Sequence, residues 1–100
     1  MGLPKEVKVG DIVYKVKTNV DDELNDNNWF GYLDCEAQII GVRSDIHPDR
    51  QKQVLCHEIC HAIIFECGLA KLSENEAVVG PVGNMLMSVL RDNSFKWVKD

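Results

Sequence analysis

Long apolar runs are missing from this 100-residue sequence. Nothing approaches the roughly 20 consecutive apolar residues that a membrane-spanning helix needs, so no membrane association is expected. Basic residues are also few. Eleven Lys and Arg face sixteen Asp and Glu, and the formal charge of −5 argues against a nucleic-acid binder, which presents a basic face. The opening MGLPKEVKVG lacks the apolar segment of a secretory signal, and Glu6 stands where a myristoylation motif needs Ser or Thr. Repeats and low-complexity segments are absent. Only four cysteines occur, and three of them, Cys56, Cys60 and Cys67, fall on one expected helix at spacings that do not favour bridging. Free thiols and a cytoplasmic location are therefore expected.

The hydrophobic fraction of 45% is that of a globular chain rather than a disordered one. One hundred residues have room for a single modest core, so residues 1–100 read as one domain. Val7 and Val9 alternate with lysines, Gly10-Asp11 interrupts, and the apolar pattern resumes from Val13 to Val16, as in a hairpin of half-buried strands. The Asp- and Asn-rich segment from Asn19 to Asn28 reads as loop. Trp29 to Leu33 and Ala37 to Val42 read as two further strands, with a turn at Asp34-Cys35-Glu36 between them.

A long helix follows. Pro48 suits its first position, Asp49 adds negative charge to the first turn, and Gly68 stands where a left-handed C-terminal residue belongs. Residues 48–67 contain neither Gly nor an internal Pro, which predicts a helix of roughly 30 Å. A second helix is expected after Ser73, because Ser73-Glu74-Asn75-Glu76 has the form of a capping box. Its clearest part is Asn84 to Arg91, and Gly80-Pro81 is expected to kink or restart it.

The long helix carries LCHEICHAI, residues 55–63. Each helical residue advances about 100°, so His57 and His61 share one face, one turn apart, and can aim a nitrogen each at one tetrahedral ion. Glu58 lies on the flank of that face. It is too far round to be the natural third ligand and well placed as a general base toward water at the metal. Zn2+ suits this chemistry, and the H-E-x-x-H pattern gives each residue type its own task. Two polar readings compete: a metal-free helix with satisfied histidines, and a structural rather than catalytic zinc.

A catalytic zinc takes three protein ligands and keeps one position open. Glu76, fifteen residues after His61, is the first candidate for the third, Glu74 the second, and Cys67 a distant third because it points away on a continuing helix. Glu76 also has a competing use as the last residue of the Ser73 capping box. Cys56, Cys60 and Cys67 form a stripe apart from the histidines and read as small buried hydrophobes. His47, about 15 Å along the axis from His57, reads as a capping residue. Tyr32 and Asn84 are candidate oxyanion donors, and the strand from Ala37 to Val42 is a candidate sheet edge for strand addition by substrate.

HEICHAI followed by NEA, with GYLDCEAQIIGV before the helix and GNMLMSVLRDN after it, resembles the small phage-type zinc peptidases of the ImmA/IrrE group over roughly residues 29–93. The NEA segment is similar to the third-ligand motif of thermolysin-like gluzincins. The resemblance implies an α+β, minimal zincin-like fold: a small antiparallel or mixed sheet, the H-E-x-x-H helix, and a second helix that brings in a glutamate. It implies His57, His61 and Glu76 as zinc ligands and Glu58 as catalytic base. It also implies hydrolysis of a protein or peptide substrate, with a cytoplasmic repressor or other regulatory protein as the expected one. The alternative is a non-catalytic zinc-binding structural or interaction module.

Overall fold

The computed structural model describes residues 2–100. The chain is α+β. Strands β1 (Glu6–Val9) and β2 (Ile12–Lys17) are followed by helix α1 (Asp21–Asn27), strands β3 (Gly31–Asp34) and β4 (Ile39–Val42), and helices α2 (Pro48–Glu66), α3 (Ala70–Ser73), α4 (Glu76–Asp92) and α5 (Lys96–Lys99). The four strands form one mixed sheet in the order β1-β2-β4-β3. β1 pairs antiparallel with β2, β3 antiparallel with β4, and β2 parallel with β4.

Alternation decides which side chains the sheet buries. Tyr14, Val16, Ile40, Val42 and Leu33 share one face, and Tyr14, Ile40 and Val42 are fully buried there with Val54, Leu55 and Ala62 of α2. The Tyr14 hydroxyl donates to Glu66 and so ties the C-terminal end of α2 to β2. On the opposite face Lys15 and Lys17 are exposed, which explains the lysine alternation that marked the hairpin.

α2 begins and ends where its sequence signals stand. Pro48 occupies the first turn, the Nδ1 of His47 accepts from the Asp49 N–H at 3.1 Å, and Gly68 adopts φ +82° just beyond the Cys67 cap. His47 is thus a capping residue, as expected.

Other expectations need correction. The segment from Asn19 to Asn28 contains helix α1. It is too short for periodicity to reveal, but Asp21, Asp22 and Glu23 favour its first turn, Leu24 is fully buried, and Asn28 ends it in the left-handed region at φ 56°. β4 is an internal strand, not a sheet edge, because it inserts between β2 and β3; the edge on that side is β3. Ser73 does not cap the second helix. Asn75 does, its side chain accepting from the Ala77 N–H at 3.1 Å. Gly80-Pro81 does not interrupt that helix, which runs unbroken from Glu76 to Asp92. Pro81 costs one bond to Ala77, and both residues are exposed, so water can take the orphaned carbonyl. Finally, the cysteine stripe is only partly buried: Cys60 is buried, Cys56 half-buried, and Cys67 exposed where the helix ends.

All four thiols are free among the described residues. No described helix is long and apolar enough to cross a membrane.

Candidate metal centre

α4 packs antiparallel against α2 directly at the motif. A side chain at Gly83 would place its Cβ 3.2 Å from the His57 Cα, so a hydrogen there lets the two helices approach. From the other side β3 presses on α2. A Cβ at Gly31 would meet Val54 Cγ1 at 2.5 Å and the Gly41 carbonyl oxygen at 2.9 Å, and would sit 3.5 Å from Glu58 Oε2. Two glycines thus wedge the motif between a helix and a strand.

Between those walls three side chains converge. His57 Nε2 lies 3.0 Å from Glu76 Oε2, and His61 Nε2 lies 2.8 Å from Glu76 Oε1. The two histidine Nε2 atoms are 3.2 Å apart, with the rings edge to face at 4.8 Å. Glu76 arrives here because it is the first residue of α4, placed by the Asn75 cap. Glu74 and Cys67 are not part of the cluster. His57, His61 and Glu76 form a group that could hold a metal ion.

The donor chemistry fits such an ion. His61 Nδ1 is bonded to the Ser73 carbonyl oxygen, which can only accept, so Nδ1 carries the proton. In the neutral ring, Nε2 then presents a lone pair to a carboxylate oxygen and to the second imidazole. A proton could serve one of those pairs; a divalent cation serves all three at once. The two histidine nitrogens, 3.2 Å apart, nearly match the roughly 3.3 Å edge of a tetrahedron with bonds of about 2.0–2.1 Å, while each meets a different oxygen of Glu76, so that one ligand atom from each residue lies within 4.8 Å of the others. Glu76 is exposed, and a small rotation can turn one of its oxygens toward both nitrogens. Ser73 completes the hold on His61, its Oγ donating to the His61 carbonyl oxygen at 3.0 Å. The Nδ1 contact to the Ser73 carbonyl is the usual device for fixing the tautomer and ring of a metal-ligating histidine.

Glu58 is 8% exposed. Burial, reinforced by the charge of Glu76, pushes its carboxyl from 4.5 up to about 7. It lines the same cleft of about 650 Å³ as His57, His61 and Glu76, bounded on the strand side by Trp29, Phe30 and Gly31. Trp29 and Phe30, expected within a strand, precede β3 and are 53% and 57% exposed. Tyr32 and Asn84 also line the cleft. The Tyr32 ring lies over Gly41 on the far face of the sheet and its hydroxyl is directed to Glu23; burial, reinforced by Glu23, raises its pKa. Asn84 Oδ1 accepts from Gln53 Nε2 at 3.1 Å. Ser73, Gly31 and Gly83 were missed as site residues in the sequence, since each acts through a contact distant along the chain.

The fold and the cluster define a small α+β protein with a helix-borne H-E-x-x-H motif and a carboxylate delivered from the next helix. Residues 14–78 match the family model of the IrrE N-terminal-like domain, Peptidase_M78. The match covers more than half of the chain, which belongs to this family, and membership supports a metallopeptidase-type function. The matched region begins earlier than the expected likeness and ends at Val78, short of the GNMLMSVLRDN segment. No curated protein and no solved structure matched the chain.

Proposed function

We propose that the protein is a zinc-dependent peptidase in which His57, His61 and Glu76 hold the ion and Glu58 is the general base. The observation that carries this reading is the clustering of three lone-pair donors within 4.8 Å of one another, with the His61 tautomer set by the Ser73 carbonyl. Bound there, Zn2+ supplies a lowered pKa for a water and polarisation of a carbonyl. The chain supplies the rest. Glu58, with its pKa raised to about 7, can accept a proton near neutral pH and return it to the leaving amine. Burial beneath β3 keeps its carboxylate largely from solvent.

Substrate binding falls to the β3 edge. The Arg43 N–H donates to the Phe30 carbonyl at 2.9 Å, which makes Phe30 and Arg43 a bonded pair. By antiparallel alternation the N–H and C=O of Gly31 then face away from β4. An extended peptide adding there runs past Glu58, the residue beneath Gly31. The substrate is a protein or peptide, and the likeness to the ImmA/IrrE group favours a cytoplasmic regulatory protein such as a repressor. The open cleft beside the cluster favours a catalytic ion over a purely structural one, which would be closed off by protein ligands.

Hydrolysis of a quenched fluorescent peptide mixture by the zinc-loaded protein and by Glu58→Gln tests the reading. The variant should keep its zinc and lose at least about a hundredfold in rate. Equal rates would overturn the role of Glu58.

A further inference from the structure

We propose that the groove leading from the metal centre along the first half of α2 is a carboxylate-recognition subsite, with Arg50 as its specificity-determining residue. The inference rests on the peptidase reading and names the substrate class: peptides with an acidic group about three residues from the bond cut.

Arg50, Val54, His57 and His61 follow one another at spacings of four, three and four, so they share one face of α2. Arg50 stands two turns before His57, about 10 Å along the axis. It lines the metal cleft and also a neighbouring cleft of about 440 Å³, and Gln53 and Asn84 form the shared wall. The groove is therefore continuous past the metal centre.

Its charge is unusual for a chain of net charge −5. Arg50 is the one Lys or Arg among the residues lining the metal cleft, and no carboxylate pairs with it among the described residues. The other arginine of the neighbouring cleft is already matched. Arg91 is bonded through Nε and Nη2 to Asp92, at 2.9 and 3.2 Å, and the one carboxylate lining the neighbouring cleft among the described residues, Asp49, forms no ion pair with Arg50.

Hydrogen-bond polarity adds a second, independent argument. Arg50 Nη1 donates to Gln53 Oε1 at 3.1 Å, and because arginine can only donate, this fixes the orientation of the Gln53 amide. Gln53 Nε2 must then donate onward to Asn84 Oδ1, as it does at 3.1 Å. The relay consumes its own acceptors and leaves donors over: the remaining guanidinium N–H groups and the Asn84 Nδ2 amide. A wall of unused donors with one unneutralised cation accepts a carboxylate and repels a cation. At about 3.3 Å per extended residue, a peptide reaching from the metal centre to Arg50 spans about three residues.

The test uses zinc-loaded Glu58→Gln protein and fluorescein-labelled decapeptide mixtures. Each is N-acetylated and C-amidated, randomised among uncharged residues, with one fixed position either Glu or Gln; a second set carries a free C-terminus. Anisotropy should show the Glu mixture binding about five- to tenfold more tightly than the Gln mixture. The ratio should fall to about one when Arg50→Gln is added, at unchanged zinc content, and should shrink with added salt. A matching Arg50-dependent gain for the free-C-terminus Gln mixture assigns the carboxylate to the chain end rather than to a side chain. Mass spectrometry of wild-type digests then reads the distance from the acid to the cut.

Equal binding of Glu and Gln mixtures, or a preference that survives loss of Arg50, would overturn the proposal. Cleavage with no acidic preference would remove it and leave the peptidase reading standing. Arg50-dependent binding of acidic peptides by a wild-type protein that cleaves none of them would do the reverse.

Discussion

His61 and Ser73 hold each other at two points: the ring Nδ1 donates to the Ser73 carbonyl, and the Ser73 hydroxyl donates to the His61 carbonyl. A short helix, α3, is thereby fastened to the histidine-bearing face of α2 just before the chain turns to deliver Glu76. Ser73→Ala keeps the first bond and loses the second. Zinc affinity, measured by competition with a chromophoric chelator, should fall about tenfold, and the domain should lose about 1 kcal/mol of stability. An unchanged affinity would show that the backbone bond alone orients the ring.

Glu58 makes the metal-free protein pH-sensitive in a predictable direction. Its folded-state value of about 7 lies above the ordinary 4.5, so the folded form binds the proton more tightly than the unfolded form. Stability contributed by this group is present below about 4.5 and is lost as pH rises through about 7. Glu58→Gln removes the titration. Urea unfolding of the two metal-free proteins should therefore diverge from pH 5 to pH 8.5, with the variant ahead by on the order of 2–3 kcal/mol at the upper end. A gap that does not change with pH would contradict this account of the buried carboxyl.

Gly83 sets the spacing of α2 and α4. Gly83→Val must push its side chain toward His57 Cα, where even a Cβ would stand at 3.2 Å. The helices should separate at the motif and carry Glu76 away from the histidines. The expected result is a loss of about 1–3 kcal/mol in thermal unfolding of the metal-free form together with weaker zinc binding. Full zinc affinity in a destabilised Gly83→Val protein would mean that Glu76 follows the histidines despite the strain.

The parts of the molecule that announce themselves in sequence are those fixed by local rules. Pro48 and Gly68 bracket α2, and the spacing of His57 and His61 alone puts them on one face. Glu76 was readable only as the first of three candidates, because its arrival depends on how the chain turns between α2 and α4. What stayed hidden is non-local or very short. No pattern in Ile39–Val42 says that this strand lies between β2 and β3, since its parallel partner is more than twenty residues away. α1 and α3 are too short to show a period. Ser73 carried a capping signal that the fold uses differently, turning the residue inward onto His61 while Asn75 takes the cap. Pro81 reads as a breaker but lies on an exposed side of α4, where one lost bond is tolerated.

The most direct measurement is zinc competition on the wild type beside Glu76→Gln and Glu74→Gln. Both glutamates lie in one short stretch, but only Glu76 stands within 3.0 Å of a histidine nitrogen. One zinc per chain, weakened at least about a hundredfold by Glu76→Gln and unaltered by Glu74→Gln, is the predicted outcome. Wild-type affinity in Glu76→Gln would contradict it.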